Sequence, residues 1–329
     1  MGVHVARFKV GSEIRWGVVQ QERLGVIPGE YATLAEFLGE GAAHARRLAS
    51  APLGETLAVR DVELLSPVTA PCNVVCQGQN YRSHMLEVGQ DPDAKTFNQF
   101  FRKASSSLTS GHGDIVKPER VRMLDYEIEL GLVIGRALTG AQRVERSRLH
   151  EFVAGLVICN DVSARDIQLA EGQWYKAKSF RTFCPAGPFL YLLDAQDNAR
   201  VMDLKLHLSV NHQTRQDSST SEMVYPPEET LSELSEVMDL FPGDLVLTGT
   251  PRGVAAGHNA PKNAKWIKKF LTVVMSEKEL TQLVVKMQTR NPAYLKEGDV
   301  VRATISSPDG SIHLGTQESR VVAAPRASA

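Results

Sequence analysis

The segment LDYEIELGLVIG, residues 124–135, places two carboxylates at the start of a run of branched apolar residues. Val, Ile and Leu dominate the run and a glycine ends it, which is typical of a buried β-strand. Because side chains alternate along a strand, Glu127 and Glu129 are expected to point to the same face. Two adjacent like charges need either solvent or a shared cation. By itself the motif is compatible with a solvated surface pair or with a metal site.

A second segment, VAGLVICNDVSARDIQ (residues 153–168), runs from an apolar strand into Asn-Asp and then into polar residues. An acid at the end of a buried strand usually has a partner, because burying a lone charge is costly. Glu127, Glu129 and Asp161, with no Cys or His nearby, would suit a hard cation such as Mg2+. The alternative for Asp161 is that it forms the N-cap of a helix over residues 162–167.

Short apolar runs continue along the rest of the chain, each bounded by Gly, Asp, Asn or Pro. After Pro71 they include NVVCQG (73–78), PFLYLL (188–193), LKLHLSV (204–210), DLVLTG (244–249) and VVRATI (300–305). Helical periodicity is limited to residues 33–48, 81–88, 145–150, 230–238 and 262–288. Many strands and few long helices predict an α+β, mainly β fold, built as a β-sandwich or a rolled sheet.

The chain divides at a Pro-bounded stretch, SPVTAPCN (residues 66–73). Before it, HVARFKV and RWGVVQ alternate as short strands do, which predicts a small N-terminal β-rich domain over residues 1–68. Residues 69–329 contain the apolar runs and the carboxylates described above. We expect them to form a second domain, which holds the carboxylates.

Composition narrows the classes of partner. Lys and Arg number 37 against 38 Asp and Glu, so no net field favours nucleic acid or an anionic membrane, and a small-molecule ligand is expected. The N-terminus lacks the apolar stretch of a signal peptide, and no apolar run reaches the about 18 residues of a spanning helix. Apolar neighbours surround all 4 cysteines, which is typical of reduced thiols, and no Cys or His pair completes a zinc site with Cys72 and Cys76. We expect a soluble cytoplasmic protein.

Several segments, taken in order, resemble the fumarylacetoacetate hydrolase superfamily. They are GQNYRSHMLE (78–87), FFRKASSSLTSGHGDIVKP (100–118), LDYEIELGLVIG, ICNDVSARDIQ (158–168), KSFRTFCPAGPFL (178–190) and FPGDLVLTGTPRGV (241–254). The resemblance spans about residues 70–255 and continues more weakly to about 324. It implies a β-roll catalytic domain, a homodimer and a 2-oxo acid substrate. It also implies that Glu127, Glu129 and Asp161 bind Mg2+, or else Mn2+ or Ca2+.

The resemblance also implies catalytic roles. By motif position, His84 and Glu87 correspond to the family's water-activating dyad, and Lys103 and Lys178 to its active-site lysines. If YRSHMLE forms a helical turn, residues three apart share one face, and the dyad can hydrogen-bond directly or through a water. Taken without the family, the same residues would be read as a surface pair and two solvated charges.

Substrate contacts follow by the same correspondence. Arg165 and Gln168 resemble the family's substrate-contacting pair, and Gly249 and Thr250 resemble its carboxylate-binding turn. One position departs from the pattern, because many relatives carry Asp in KSFDTF where this chain has Arg181. A positive group three residues after Lys178 predicts different electrostatics in the site.

Residues 258–293 look like a helical insertion relative to the family. A first amphipathic helix is predicted from Trp266, Phe270, Val273 and Val274. Ser276 and Glu279 have the spacing of a capping box, which would start a second helix. Its apolar residues are Leu280, Leu283, Val284 and Met287. The pair would pack as extra core, cover the mouth of the site or extend the dimer interface.

The first functional hypothesis is a metal-dependent hydrolase that cleaves a carbon–carbon bond of a 2,4-diketo acid, of the acylpyruvate or fumarylpyruvate type. The cation and the lysines would stabilise the enolate left by cleavage. The alternative within the same fold is a lyase or isomerase, such as an oxaloacetate decarboxylase, a 2-hydroxydienoate isomerase or a sugar-acid dehydratase. A third alternative, of another class, is a non-catalytic metal-stabilised binding protein.

Overall fold

The computed structural model describes residues 2–257 and 277–325. Its strands are β1 (Val3–Val10), β2 (Glu13–Gln20), β3 (Arg23–Val26), β4 (Thr56–Ala58), β5 (Glu63–Leu65), β6 (Val74–Gly78), β7 (Gln99–Lys103), β8 (Leu108–Ser110), β9 (Ile115–Lys117), β10 (Leu124–Asp125), β11 (Ile128–Ile134), β12 (Val153–Asn160), β13 (Ser163–Ala164), β14 (Cys184–Ala186), β15 (Leu190–Leu192), β16 (Lys205–Val210), β17 (Gln213–Ser219), β18 (Leu245–Leu247), β19 (Val300–Ser306) and β20 (His313–Ala323). Its helices are α1 (Leu34–Glu36), α2 (Ala42–Ala49), α3 (Arg82–Glu87), α4 (Leu149–Phe152), α5 (Arg165–Glu171), α6 (Trp174–Lys178), α7 (Pro227–Val237) and α8 (Glu277–Gln288). The prediction of an α+β, mainly β fold is confirmed.

The N-terminal strands share the largest sheet with strands from the middle of the chain. Its order is β4-β3-β2-β1-β15-β12-β11-β18-β6-β7, and β5, β8 and β14 pair with strands of this path. The N-terminal strands join it through β1, which runs antiparallel to β15. A second sheet has the order β17-β16-β19-β20-β9, and β10 pairs with β13. The N-terminal β-rich region is thus continuous with the main sheet, and the domain boundary after residue 68 stays a prediction.

The central strands β11 and β12 are buried on both faces, which explains their unbroken apolar sequences. On one face, Leu130 and Leu132 share a core cluster with Leu208 of the second sheet. On the other face, Val133 shares a second cluster with Trp16 of the N-terminal strands. The two sheets therefore pack as layers, and the N-terminal region covers the outer face of the main sheet.

Most helical predictions are confirmed, with local differences. The helix expected over residues 33–48 is divided by a π-helical turn over Phe37–Gly41, and the one expected at 145–150 begins at Leu149, after a 3-10 turn. Residues 262–276 of the predicted insertion lie outside the described residues. The helix expected after them is present as α8 and packs against α5. Its apolar face differs from the prediction, because Val285 packs on the core and Met287 is 63% exposed. No described helix is long and apolar enough to cross a membrane.

A single buried amide joins the elements that frame the site. Asn80, which precedes α3, lies with its Nδ2 atom 3.0 Å from the carbonyl oxygens of Tyr225 and Thr248 and 3.0 Å from Oε1 of Gln77. Its Oδ1 atom accepts from the backbone N–H of Tyr225 at 2.9 Å. The side chain is fully buried. Asn80 therefore fixes the start of α3 against β6 and against the turn after β18.

We predict that Asn80→Ala lowers the free energy of unfolding by about 2 to 3 kcal/mol, because it removes the side-chain donor to the Thr248 carbonyl and the acceptor of the Tyr225 N–H. Urea denaturation followed by tryptophan fluorescence measures this change. The control is Gln142→Ala, whose side chain makes one 3.4 Å exposed contact to Thr139, and it should change stability by less than about 0.5 kcal/mol. Equal stabilities of the two variants would contradict the role of Asn80.

Candidate active site

The side chains of Glu127, Glu129 and Asp161 form a compact cluster. One carboxylate oxygen from each lies within 4.8 Å of the others. The residues are 5%, 1% and 0% exposed. Antiparallel pairing of β11 with β12 sets Glu129 opposite Cys159, and the Asp161 N–H donates to the Glu127 carbonyl at 2.8 Å. The expected same-face arrangement of the two glutamates is thus present, and a surface pair is excluded.

The alternative explanation of Asp161 as a helix N-cap is wrong. The chain continues from Asp161 into β13, and the helix that follows, α5, begins at Arg165 with Ala164 as its N-cap residue. The side chain of Asp161 points instead into the carboxylate cluster. Its partners are two lysines rather than backbone N–H groups.

Lys103 and Lys178 are buried ammonium groups within this cluster. Lys103 Nζ lies 2.5 Å from Asp161 Oδ1. Lys178 Nζ lies 2.8 Å from Glu127 Oε1 and also pairs with Asp161 Oδ2. The surface-charge alternative for the lysines is therefore excluded. Arg181, three residues after Lys178, is exposed.

Arg165 is the third positively charged side chain of the cluster, and each nitrogen of its guanidinium contacts a neighbouring side chain. Its Nε atom donates to Asp125 Oδ2 at 2.8 Å, and its Nη2 atom lies 2.5 Å from Glu127 Oε1. Its Nη1 atom donates to Gln168 Oε1 at 2.9 Å, so the predicted pair is in contact. The carboxylate of Asp125 also accepts from the backbone N–H groups of Ala255 at 2.7 Å and Ala256 at 3.1 Å. Through these hydrogen bonds, Asp125 links the guanidinium of Arg165 to the loop after β18.

The turn TGTP touches the cluster through its backbone. Gly249 has φ +87°, which favours glycine, and its N–H donates to Glu129 Oε2 at 2.7 Å. A Cβ atom there would lie 2.9 Å from Cβ of Asn80, so only glycine fits without a shift. The Thr250 hydroxyl donates to the Ile128 carbonyl at 3.0 Å and accepts from Gln216 Nε2 at 2.8 Å. Both protein contacts of Thr250 stabilise the turn.

His84 and Glu87 form the hydrogen bond expected from their spacing. His84 Nδ1 lies 3.0 Å from Glu87 Oε2 on α3, and both side chains are largely buried. Glu87 Oε1 accepts from the Gly253 N–H at 3.0 Å, which fixes the carboxylate against the loop after TGTP. An ionised Glu87 keeps the proton on Nδ1, so Nε2 is left as the accepting nitrogen of the imidazole. This arrangement suits a general base.

The charges of the cluster are unequally compensated. Burial would raise the pKa of Glu127, but Arg165 and Lys178 lower it to about 2. Burial raises the pKa of Glu129 well above its ordinary value, and the charges of Asp161 and Glu127 raise it further. Lys178 and the Gly249 N–H lower the pKa of Glu129, but by less than burial and the two neighbouring carboxylates raise it. Oxygen ligands around an undercompensated charge are what a hard divalent cation requires, so these residues could hold one.

Three residues of the site were not among the predicted ones. Asp125 lies two positions before Glu127, so the same strand alternation could have indicated it. The Ser163 hydroxyl donates to Glu127 Oε1 at 2.7 Å and follows Asp161 by two positions. Gln216, from β17, also accepts from the Ile128 N–H at 3.0 Å. No local pattern in the sequence indicates Gln216, because its contacts are distant along the chain.

Comparisons with known proteins agree with this architecture. The family model described as "Fumarylacetoacetate (FAA) hydrolase C-terminal" matches residues 73–322, and the one described as "Rv2993c-like, N-terminal" matches residues 3–67. Oxaloacetate tautomerase YisK of Bacillus subtilis is 38% identical over 253 residues, which are 73% of this chain and 81% of that protein. The mitochondrial oxaloacetate tautomerase Fahd2a of Rattus norvegicus is 34% identical over 78% of this chain and 79% of its own length.

Solved structures are similar over nearly the whole chain. A 2-hydroxyhepta-2,4-diene-1,7-dioate isomerase from Mycobacterium marinum has a TM-score of 0.68 at 25% identity, over 98% of this chain and 100% of its own. A fumarylacetoacetate hydrolase from Exiguobacterium antarcticum has a TM-score of 0.71 at 26% identity, with the same coverage. The fold, the family model and the relatives agree, and the chain belongs to the fumarylacetoacetate hydrolase superfamily.

Proposed function

We propose that this chain is a metal-dependent isomerase that interconverts the keto and enol forms of a small 2-oxo dicarboxylic acid, with oxaloacetate as the candidate substrate. The buried, hydrogen-bonded His84–Glu87 pair carries the proposal, because tautomerisation needs a base that can remove and return one proton. The names of the curated relatives support this reaction over hydrolysis. The proposal belongs to the isomerase alternative of the sequence analysis.

The residues around the cluster fit the cofactor. Glu127, Glu129 and Asp161 would hold Mg2+, with Mn2+ or Ca2+ as alternatives, because they offer oxygen ligands within 4.8 Å of one another and because the charge of an ionised Glu129 is incompletely compensated. When bound, the cation would supply Lewis-acid polarisation of a 2-oxo group. The identity of the metal is part of the proposal.

The proposed roles of the chain's own residues follow from their contacts. In the keto-to-enol direction, His84 Nε2 takes a proton from the carbon next to the 2-oxo group, and the resulting imidazolium gives a proton to the 2-oxygen of the enolate, while Glu87 holds the imidazole in the accepting tautomer. The enol-to-keto direction reverses both transfers. Lys103 and Lys178 stabilise negative charge as it develops on the substrate oxygen. Arg165, with Gln168, binds a substrate carboxylate, and the turn of Gly249 and Thr250 binds the other. A homodimer is proposed from the family.

Hydrolysis of a 2,4-diketo acid is the second candidate. The observation that favours it is the similarity to the Exiguobacterium antarcticum hydrolase, together with a dyad that could activate water as readily as it could move a substrate proton. Both reactions would use the same carboxylates and lysines. The two candidates differ in whether a carbon–carbon bond is broken, so product analysis separates them.

We predict that the Mg2+-loaded protein accelerates the decay of the enol absorbance of freshly dissolved oxaloacetate without releasing pyruvate. A coupled lactate dehydrogenase assay measures pyruvate in parallel from oxaloacetate and from acetylpyruvate. Protein treated with a chelator is the control. Pyruvate from acetylpyruvate, with no effect on the enol, would establish the hydrolase and reject the isomerase.

We predict that His84→Ala lowers kcat/KM by about 10²- to 10⁴-fold, because a general base acts in the transition state. The Mg2+-induced rise in Tm should be retained, since His84 is not one of the proposed ligands. Glu87→Gln should cause a smaller loss, because the imidazole remains but is held less firmly. Unchanged kcat/KM would remove His84 from the mechanism, and a lost Mg2+ effect would make it a ligand.

We predict that Mg2+ stabilises the protein more as the pH rises from about 5 to about 8. The pKa of Glu129 is raised in the folded state, so the metal-free native protein binds a proton more tightly than the unfolded chain and loses stability as that proton dissociates. Mg2+ competes with the same proton, so its affinity increases with pH. Thermal unfolding with and without Mg2+ measures the difference in Tm.

Glu129→Gln is the informative variant for this pH dependence. It removes both the titrating group and one ligand charge, so Mg2+ should raise Tm little at any pH in this range. The control is Glu13→Gln, an exposed carboxylate that pairs with Arg15, which should behave as the wild type. A Mg2+ effect that survives Glu129→Gln unchanged would exclude Glu129 as a ligand.

A further inference from the structure

The segment that follows α8 returns to the candidate site. The Leu295 N–H donates to the Leu124 carbonyl of β10 at 2.8 Å. Asn291 Nδ2 donates to the Ala255 carbonyl at 2.8 Å, in the loop that also binds Asp125. These contacts hold the segment beside β10. Tyr294, which the sequence analysis did not identify, lies between the two anchors.

In the part of the chain that the structure describes, the hydroxyl of Tyr294 is buried without a partner, as are the hydroxyls of Tyr81 and Tyr126. The residue is 4% exposed, and its ring belongs to the main core cluster. Its oxygen has no hydrogen-bond partner among the described residues. A buried hydroxyl without a partner is destabilising, and a phenylalanine would fill the same space without that cost. The hydroxyl therefore needs an explanation other than packing.

The electrostatic surroundings of this hydroxyl point to the substrate-binding arginine. Burial raises the pKa of Tyr294, as does Asp125, whereas Arg165 lowers it. Asp125 and Arg165 are themselves joined at 2.8 Å. The hydroxyl therefore keeps its proton and can donate. The backbone brings its residue close to Arg165, because Leu124 pairs both with Leu295, which follows Tyr294, and with Ala164, which precedes Arg165. A donor beside a cation is suited to an anionic ligand.

Arg165 alone would bind an additional anion weakly. Its Nε, Nη1 and Nη2 atoms already contact Asp125, Gln168 and Glu127, so much of its charge is compensated. Each Nη atom retains one further N–H, because a guanidinium has five. A second neutral donor at the same place would add a hydrogen bond to an incoming carboxylate without adding charge.

We propose that Tyr294 is a specificity-determining residue whose hydroxyl, together with Arg165, donates to the distal carboxylate of the substrate. The inference rests on the proposed function, because it requires a dicarboxylic substrate. It assigns the preference for a second carboxylate to the segment after α8 and leaves the proton transfer to His84. Monocarboxylic 2-oxo acids would not use this contact.

The test compares Tyr294→Phe with the wild type by using L-malate and L-lactate as probes. These 2-hydroxy acids differ only in the distal carboxylate and cannot tautomerise. Calorimetry on Mg2+-loaded protein should show malate binding about ten-fold or more weaker in the variant, since a hydrogen bond to a charged group is lost. Lactate binding and the Mg2+-induced rise in Tm should stay unchanged. The Tm of the variant should equal or exceed that of the wild type.

The matched control is Tyr191→Phe, which removes a buried hydroxyl that does have partners. Tyr191 Oη donates to Asp197 Oδ2 at 3.0 Å and accepts from the Gly2 N–H at 3.0 Å. Its loss should lower Tm and leave both probes unaffected. The two variants thus separate a structural hydroxyl from a ligand-binding one.

Three results would overturn the inference. If Tyr294→Phe retains the wild-type preference for malate, the hydroxyl does not bind the distal carboxylate. If it weakens malate and lactate equally, or lowers Tm as Tyr191→Phe does, its role is structural. If the wild type itself does not prefer malate to lactate, the dicarboxylic substrate of the proposed function fails, and the inference fails with it.

Discussion

Three carboxylates buried within 4.8 Å of one another are the constraint on which the rest of the site depends. Mutual repulsion and lost hydration would make this arrangement unstable without compensation. Lys103, Lys178 and Arg165 provide part of it, and the raised pKa of Glu129 marks where the compensation is incomplete. The divalent cation of the proposed function would complete the balance, and on that proposal the cluster is a binding site rather than a structural ion-pair network.

The fold holds this cluster by burying its strands on both sides. The outer cluster of apolar residues contains Val133, Val157 and Cys159. Along β11 and β12 these residues alternate in step with Glu129 and Asp161, so they lie on the same face of the sheet as the carboxylates. Burial raises the pKa of Cys159, so this thiol stays neutral. This uncharged, close-packed cluster keeps water away from the carboxylates and strengthens every charge interaction among them. The N-terminal region contributes Trp16 to the same cluster.

What the sequence could predict was local. Strand alternation was sufficient to place Glu127 and Glu129 on one face, and helical spacing was sufficient to join His84 to Glu87. The family resemblance indicated Lys103 as a site residue, which charge alone would have assigned to the surface. Tyr294 had no such signal, because its surroundings come from β10 and α5, far away along the chain. Long-range contacts of this kind depend on packing, which no short motif encodes.

On the proposed function, metal binding and substrate selection lie in different parts of the molecule. The carboxylates lie on or beside the central strands, whose register is fixed by backbone pairing and by burial on both faces. Arg165 is held by Asp125. The carboxylate of Asp125 accepts a hydrogen bond from the N–H of Ala255, which lies shortly before the 258–293 segment, and Tyr294 follows directly after that segment. A change at Ala255 would reach the guanidinium through Asp125, whereas the central strands are held by their own backbone pairing. Substrate preference can vary in this architecture while the site of chemistry stays the same, which is why the family alone does not identify the substrate.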